Sequence, residues 1–225
     1  MSARKSSNER IELLRWTAGM GAVTSESLSL RRRASIASAQ AMLNAAVRAK
    51  QLARHRPLAD RPALYTVTRL GLRAAACEGE PRRVSPASAQ HMIACAHVAA
   101  ALERRYPEQL VIGEQELRRR EREAGAPLAS VVLRRVGEHG PLMHRPDLVL
   151  LPRSGSTRRP VAVEVELTIK APRRLAEICR AWTRSSHVDG VLYLAPPAVE
   201  RALGRAIGAA QAGECIAVVP LDSLG

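Results

Sequence analysis

The last third of the chain alternates short apolar runs with amphipathic stretches, and this limits the fold more than any other feature. Leu148-Val149-Leu150-Leu151, Pro160 to Ile169, Val191-Leu192-Tyr193-Leu194 and Ile216-Ala217-Val218-Val219 have the length and composition of strands. Helical patterns fall between the later ones, from about Pro172 to Ser185 and from Ala198 to Ala210. Strands joined through helices return parallel, so this part is expected to be an α/β sheet. Leu110-Val111-Ile112 and Val131-Val132-Leu133 add two more strands, with a strongly charged helix from Glu114 to Glu123 between them. Ser88 to Tyr106 reads as a helix that is apolar on one side.

Within the Pro160–Ile169 stretch side chains alternate between faces. Val161, Val163, Val165 and Leu167 take one face; Glu164, Glu166, Thr168 and Lys170 take the other. Adjacent carboxylates on one face repel and raise each other's pKa unless a cation sits between them. Asp147, at the head of a neighbouring strand, supplies a third acid. Oxygen ligands of this kind suit a hard divalent ion, Mg²⁺ or Mn²⁺, which can activate water for phosphodiester hydrolysis. Asp147, Glu164 and Glu166 are therefore the candidate metal ligands. Lys170 is expected to approach phosphate, although four residues of strand would hold it about 13 Å from Glu166. His144, three residues before Asp147, is placed by the sequence near the mouth of this site, although a lone histidine is more often packing or surface.

The N-terminal third has a different character. Residues 1–84 hold 16 Lys/Arg against 6 Asp/Glu, and residues 85–225 hold 19 against 15, so most of the formal net charge of +14 lies early. Three of the 35 basic residues are lysines: Lys5, Lys50 and Lys170. A positive surface attracts polyanions, and arginine matches phosphate geometry. Ile11, Leu13, Leu14 and Ala18 mark a helix with Ser6, Ser7 or Asn8 as cap, ended by Gly19 and Gly21. A short helix follows Thr24 and Ser25, then Arg31-Arg32-Arg33. A longer helix runs from about Ser35 to Leu52 with Ile36, Ala39, Leu43, Ala46 and Val47 on its apolar stripe. A basic turn from His55 to Pro62, a strand over Leu64–Thr68 and a helix over Leu70–Ala76 complete the third. The Gly/Pro-containing stretch Glu78 to Pro86 reads as a linker, giving domains 1–84 and 85–225.

This N-terminal order resembles a winged helix-turn-helix, and Leu64-Tyr65-Thr66-Val67-Thr68-Arg69-Leu70-Gly71 looks like the "Y-x-L-T-x-x-G" stretch that follows the wing in such domains. The resemblance implies double-stranded DNA as partner, with the third helix in the major groove and the wing along the backbone. The expected contacts are Arg31, Arg32, Arg33, Ser38, Gln40, Asn44, Arg48, Arg54, Arg56 and Arg61. Gln40 and Asn44 share a helix face, and either amide can read adenine. Pro146-Asp147 and Glu164 resemble the "PD" and "(D/E)" elements of the PD-(D/E)xK nuclease superfamily, with Glu166 where lysine is usual, as in the "ExE" subgroup of restriction endonucleases. Glu114 resembles the early-helix acid of such nucleases. The succession of winged helix, "GEQELRRR", "RPDLVLL" and "VAVEVELTIK" is similar to the replication-relaxation family of actinobacterial plasmids and integrated mobile elements. The expected fold is α/β (α+β overall): a winged helix-turn-helix, then a restriction-endonuclease-like domain with a mixed central sheet.

Two functions follow from this reading. One is a metal-dependent DNA endonuclease or nickase using Asp147, Glu164, Glu166, Lys170 and Glu114; the other is a non-catalytic regulator of transcription or replication. A homodimer is the usual state of helix-turn-helix proteins that read palindromic sites. Aromatic residues make up 2%, too few for single-strand stacking platforms. There is no Walker loop, GxSxG or HExxH motif. Cys77, Cys95, Cys179 and Cys215 form no CxxC pair. No apolar run reaches the roughly 18 residues of a membrane span, and Met1 to Asn8 lack the apolar core of a secretory signal. A cytoplasmic, nucleoid-associated location is expected.

Overall fold

The structure, a computed structural model, describes residues 2–135, 141–153 and 157–224; His139 lies outside them. Eight α-helices and nine strands are present among the described residues, and the chain is α/β overall. It divides into two compact units, Met1–Tyr106 and Pro107–Gly225.

In the first unit, α1 spans Ser2–Met20, longer than the apolar spacing indicates, and Gly21 follows it with a φ of 82°. Thr24 opens α2 (Ser25–Arg32) with a capping box shared with Ser27. Arg33 closes it in the left-handed region. After the turn Arg33-Ala34-Ser35, α3 runs from Ile36 to Arg48, capped by Ser35. It is shorter than expected because the chain turns at Ala49 and Lys50 and enters β1 (Leu52–His55), a strand that the sequence does not announce. β1 pairs antiparallel with β2 (Leu64–Val67), and Val23 bridges to Tyr65 on the other side. Leu13, Leu14, Leu28, Leu43, Leu52, Tyr65 and Leu72 form the core. Ile36 does not join it; it is 54% exposed.

The segment Thr68–Gly71 is fixed by close approach. Thr68 Oγ1 donates to Lys50 O at 2.7 Å and accepts from Gly71 N–H at 3.1 Å, while Thr68 N–H donates to Gln51 O at 3.0 Å. A Cβ on Gly71 would stand 2.1 Å from Gln51 O, so only glycine fits at the start of α4 (Arg69–Ala74).

The boundary expected after residue 84 lies further on. The chain is irregular before Ser85, but α5 (Pro86–Arg105) belongs to the first unit. Ala100 is buried in its core, and Glu103 accepts from Trp16 Nε1 at 3.0 Å and from Arg31 Nε at 2.5 Å.

The second unit is built on a five-stranded sheet ordered β3-β6-β7-β8-β9: Gln109–Gly113, Leu148–Pro152, Val161–Val165, Gly190–Ala195 and Ile216–Pro220. β6 runs antiparallel to both its neighbours, β3 and β7, and β7, β8 and β9 are parallel, a mixed sheet. α6 (Glu114–Ala124) follows β3. α7 (Pro172–Thr183) and α8 (Pro197–Ala210) connect the parallel strands, and their apolar faces bury Leu175, Ile178, Trp182, Val199 and Leu203 with Ile112, Val149, Ala162 and Val191 of the sheet. A separate hairpin pairs β4 (Val131–Arg135) with β5 (Pro141–His144). The strand expected to continue to Ile169 ends at Val165. Glu166 N–H still bonds to Leu194 O at 2.9 Å, and the chain then leaves the sheet.

Candidate functional site

The register of the sheet assembles the site. Ile112, Val149, Ala162 and Val191 are successive partners across four strands. Two residues further along lie Glu114, Asp147, Glu164 and Tyr193, the first just past the end of β3 and the second just before β6. Glu164 is paired with Tyr193 directly, and Glu114 N–H donates to Asp147 O at 3.1 Å. Three carboxylates from sequence positions 114, 147 and 164 thus come to one end of the sheet: Glu164 on β7, Asp147 just before β6 and Glu114 in the first turn of α6.

Each is held differently. Asp147 Oδ2 accepts the Val165 N–H at 2.8 Å, which ties it to the strand that carries Glu164. Glu114 is half-exposed and takes Arg118 through one oxygen, an ordinary i,i+4 pair on α6. Glu164 is 3% exposed and makes a hydrogen bond to His144 Nε2 at 2.5 Å. The His144 ring in turn meets Trp182 edge-on, with centroids 5.7 Å apart. Burial raises the Glu164 pKa; the nearby His144 opposes this and the charge of Asp147 adds to it.

Glu166 is also buried and forms an ion pair with Lys170. The expected separation of about 13 Å assumed an extended chain. The chain bends after Glu166 instead, and the ammonium returns to the carboxylate. Burial disfavours the Lys170 cation, but the hydrogen bond and charge of Glu166, with the charges of Glu164 and Asp147, raise its pKa. Lys170 is the single lysine among residues 107–225, which hold sixteen arginines. An ammonium is a compact point charge that the planar guanidinium does not mimic.

Among the described residues, Asp147, Glu164 and Glu166 do not bring three ligand atoms within 4.8 Å of one another. Asp147 and Glu164 fit a divalent ion that takes one or two carboxylates and completes its shell with water, as Mg²⁺ does. Expected ligand Glu166 is committed to Lys170 instead. His144, weighed at the mouth of the site but expected as packing or surface, stands against Glu164; its place three residues before Asp147 is the signal.

In the first unit the expected contact residues fall into two groups. Arg31 is not an open surface cation: it pairs with Glu12 at 2.9 Å and Glu103 at 2.5 Å, and its guanidinium lies over the Trp16 ring. Arg32 pairs with Glu9 at 3.3 Å. Gln40 donates to Asn44 Oδ1 at 3.0 Å and to Tyr65 Oη at 2.6 Å, so the two amides engage each other. Arg33, Ser38, Arg48, Arg54, Arg56 and Arg61 are exposed, Arg61 beside Asp60 at 3.9 Å. Arg33 also lines a cavity of about 510 Å³ with Arg104 and Ile36. The outer face of α3 is otherwise small: Ala37, Ala41 and Ala45 are exposed.

Compared with protein-family models, curated proteins and solved structures, the chain gives no match. No helix among the described residues is long and apolar enough to cross a membrane.

Proposed function

We propose that the protein binds double-stranded DNA through its first unit and cleaves or nicks phosphodiesters with its second, using Mg²⁺ or Mn²⁺, in the manner of the PD-(D/E)xK nucleases and the replication-relaxation family that the sequence resembles. The observation that carries this reading is the carboxylate row Glu114, Asp147, Glu164 at the end of the sheet, with the Glu166–Lys170 pair beside it. Asp147 and Glu164 would hold the metal, and a bound divalent ion would supply Lewis acidity toward phosphate and a more acidic water. Lys170 offers positive charge toward a phosphate, and Glu166 keeps that ammonium at the site. Glu114 stands at the margin, shared with Arg118.

Winged-helix DNA binding is supported by the packing of α2 on α3 across a three-residue turn, followed by the β1–β2 hairpin. Arg33, Arg48, Arg54 and Arg56 are the arginines that this reading assigns to phosphate; Arg31 and Arg32 serve the scaffold. The reading extends to a mobile-element protein that acts as a homodimer.

The test incubates the protein with supercoiled and linear DNA in Mg²⁺, Mn²⁺ or EDTA, beside the Asp147→Ala/Glu164→Ala variant. Metal-dependent breakage that disappears in the variant is expected. The second reading, a DNA-binding regulator on an inactive nuclease scaffold, is favoured by one observation: the three acids do not converge as ligands. It predicts a discrete shifted complex, no breakage, and no effect of the double variant.

A further inference from the structure

We propose that His144 is a positioning residue for the Glu164 carboxylate, presented by a hairpin whose two feet are clamped by Glu121, and that it sets the affinity of the Asp147–Glu164 pair for a divalent cation. The inference rests on the metal-binding reading above and adds a residue to it. Glu164 enters the site from the central sheet; His144 comes from β5, which is not part of that sheet. The pair is nevertheless close, 2.5 Å, and little exposed on either side, at 14% and 4% for the two side chains. Trp182 on α7 sets the tilt of the ring.

Contacts beyond the hairpin's own ladder, in which His144 pairs with Val131, add to this placement. At the foot of β4, Glu121 Oε1 accepts the N–H groups of Leu128, Ala129 and Ser130 at 3.0, 3.3 and 2.9 Å, and Oε2 accepts Ser130 Oγ at 2.6 Å. At the foot of β5, Arg145 Nε lies 3.4 Å from the same Oε2. One carboxylate on α6 thus holds both strand ends, and His144 is the residue next to the Arg145 anchor. His187 Nε2 bonds to Ser130 O at 2.8 Å and reinforces the first foot.

A carboxylate in an apolar pocket can rotate about its last torsion, and a ligand that must first be oriented binds its metal less tightly. A hydrogen bond from Nε2–H to one oxygen fixes the plane of the carboxylate, and outer-shell partners of this kind alter metal affinity by about 10–100-fold when removed.

The experiment measures Mn²⁺ binding to the full chain by electron paramagnetic resonance of the free ion. It compares the unaltered protein with His144→Phe, His144→Gln and Glu164→Gln, all checked for equal folding by circular dichroism. Phenylalanine keeps the ring against Trp182 and removes the donor; glutamine restores an N–H. His144→Asn, whose shorter side chain cannot span the gap, replaces His144→Phe if that variant fails to fold. The expected result is Mn²⁺ affinity about 10–100-fold lower without the donor and recovered in large part by glutamine. Unchanged affinity in His144→Phe with weakened binding in Glu164→Gln overturns the role of His144 and leaves the metal reading standing. Equal binding by the unaltered protein and Glu164→Gln overturns both.

Discussion

Glu121 and Glu164 are both buried carboxylates of the second unit, 9% and 3% exposed, yet their surroundings differ in kind. Glu121 faces donors only: three backbone N–H groups, a hydroxyl and a guanidinium. Burial raises its pKa, but the bonds to Ser130, Leu128 and Ala129 outweigh this and hold the carboxyl below its ordinary range. Glu164 has His144 on one side and the like charge of Asp147 on the other, and burial leaves its pKa raised. A charge surrounded by donors strengthens a fold; a charge left with a like neighbour weakens it and is kept for what it can bind.

The largest effect is expected at Glu121. Glu121→Ala leaves four hydrogen-bond donors without an acceptor and the Arg145 guanidinium without its ion-pair partner, and its loss should lower unfolding free energy by about 3–5 kcal/mol, read by urea denaturation. Next is Gly71→Ala in the first unit, where a Cβ meets backbone. A cost of roughly 1–3 kcal/mol is expected from overpacking, and being steric it should not change between pH 4 and 8. That invariance separates it from both carboxylates.

Glu164→Gln should have the opposite sign. It removes a carboxyl whose charged form burial disfavours and should raise stability at pH 7 by about 0.5–2 kcal/mol; loss of metal-dependent cleavage is expected with it under the proposed function. A group with a raised folded pKa gives its stability below the unfolded value, about 4.3 for Glu, and loses it as pH rises through the folded value. The advantage of Glu164→Gln should therefore grow from pH 4 to pH 7 in thermal denaturation. Glu121 has a lowered folded pKa, so its contribution is present above the unfolded value and is lost as pH falls through the folded one. A Glu164→Gln protein that is less stable at pH 7 breaks the contrast. The smallest effect belongs to Arg32→Ala, whose partly exposed pair with Glu9 should contribute no more than about 1 kcal/mol and fade in salt.

Much of this was legible in the chain. The Val/Glu alternation from Val161 to Val165 reports a strand, and the structure has one, but both its faces are buried and Glu164 shares its face with Ala162 of the apolar core. The same alternation runs on through Leu167 and Ile169, and nothing in it marks the departure after Glu166 that brings Lys170 back. The second leg of the hairpin, Pro141-Leu142-Met143-His144, is short and does not alternate, so β5 could not be read, and His144 was marked only by its closeness to Asp147 in sequence. The Gly/Pro-containing stretch before Ser85 does mark a break in regular structure. Which unit claims α5 depends on Glu103 meeting Trp16 and Arg31, contacts between residues more than seventy positions apart.

The carboxylate row also dictates when the site can exist. Glu114, Asp147 and Glu164 meet only through the registers of β3 on β6 and β6 on β7. A slip of one residue in either pairing sends Asp147 to the opposite face of the sheet. A chain still being made, or one with an incomplete sheet, therefore carries all three acids and no site. Assembly of the central strands is therefore the precondition for bringing these acids together.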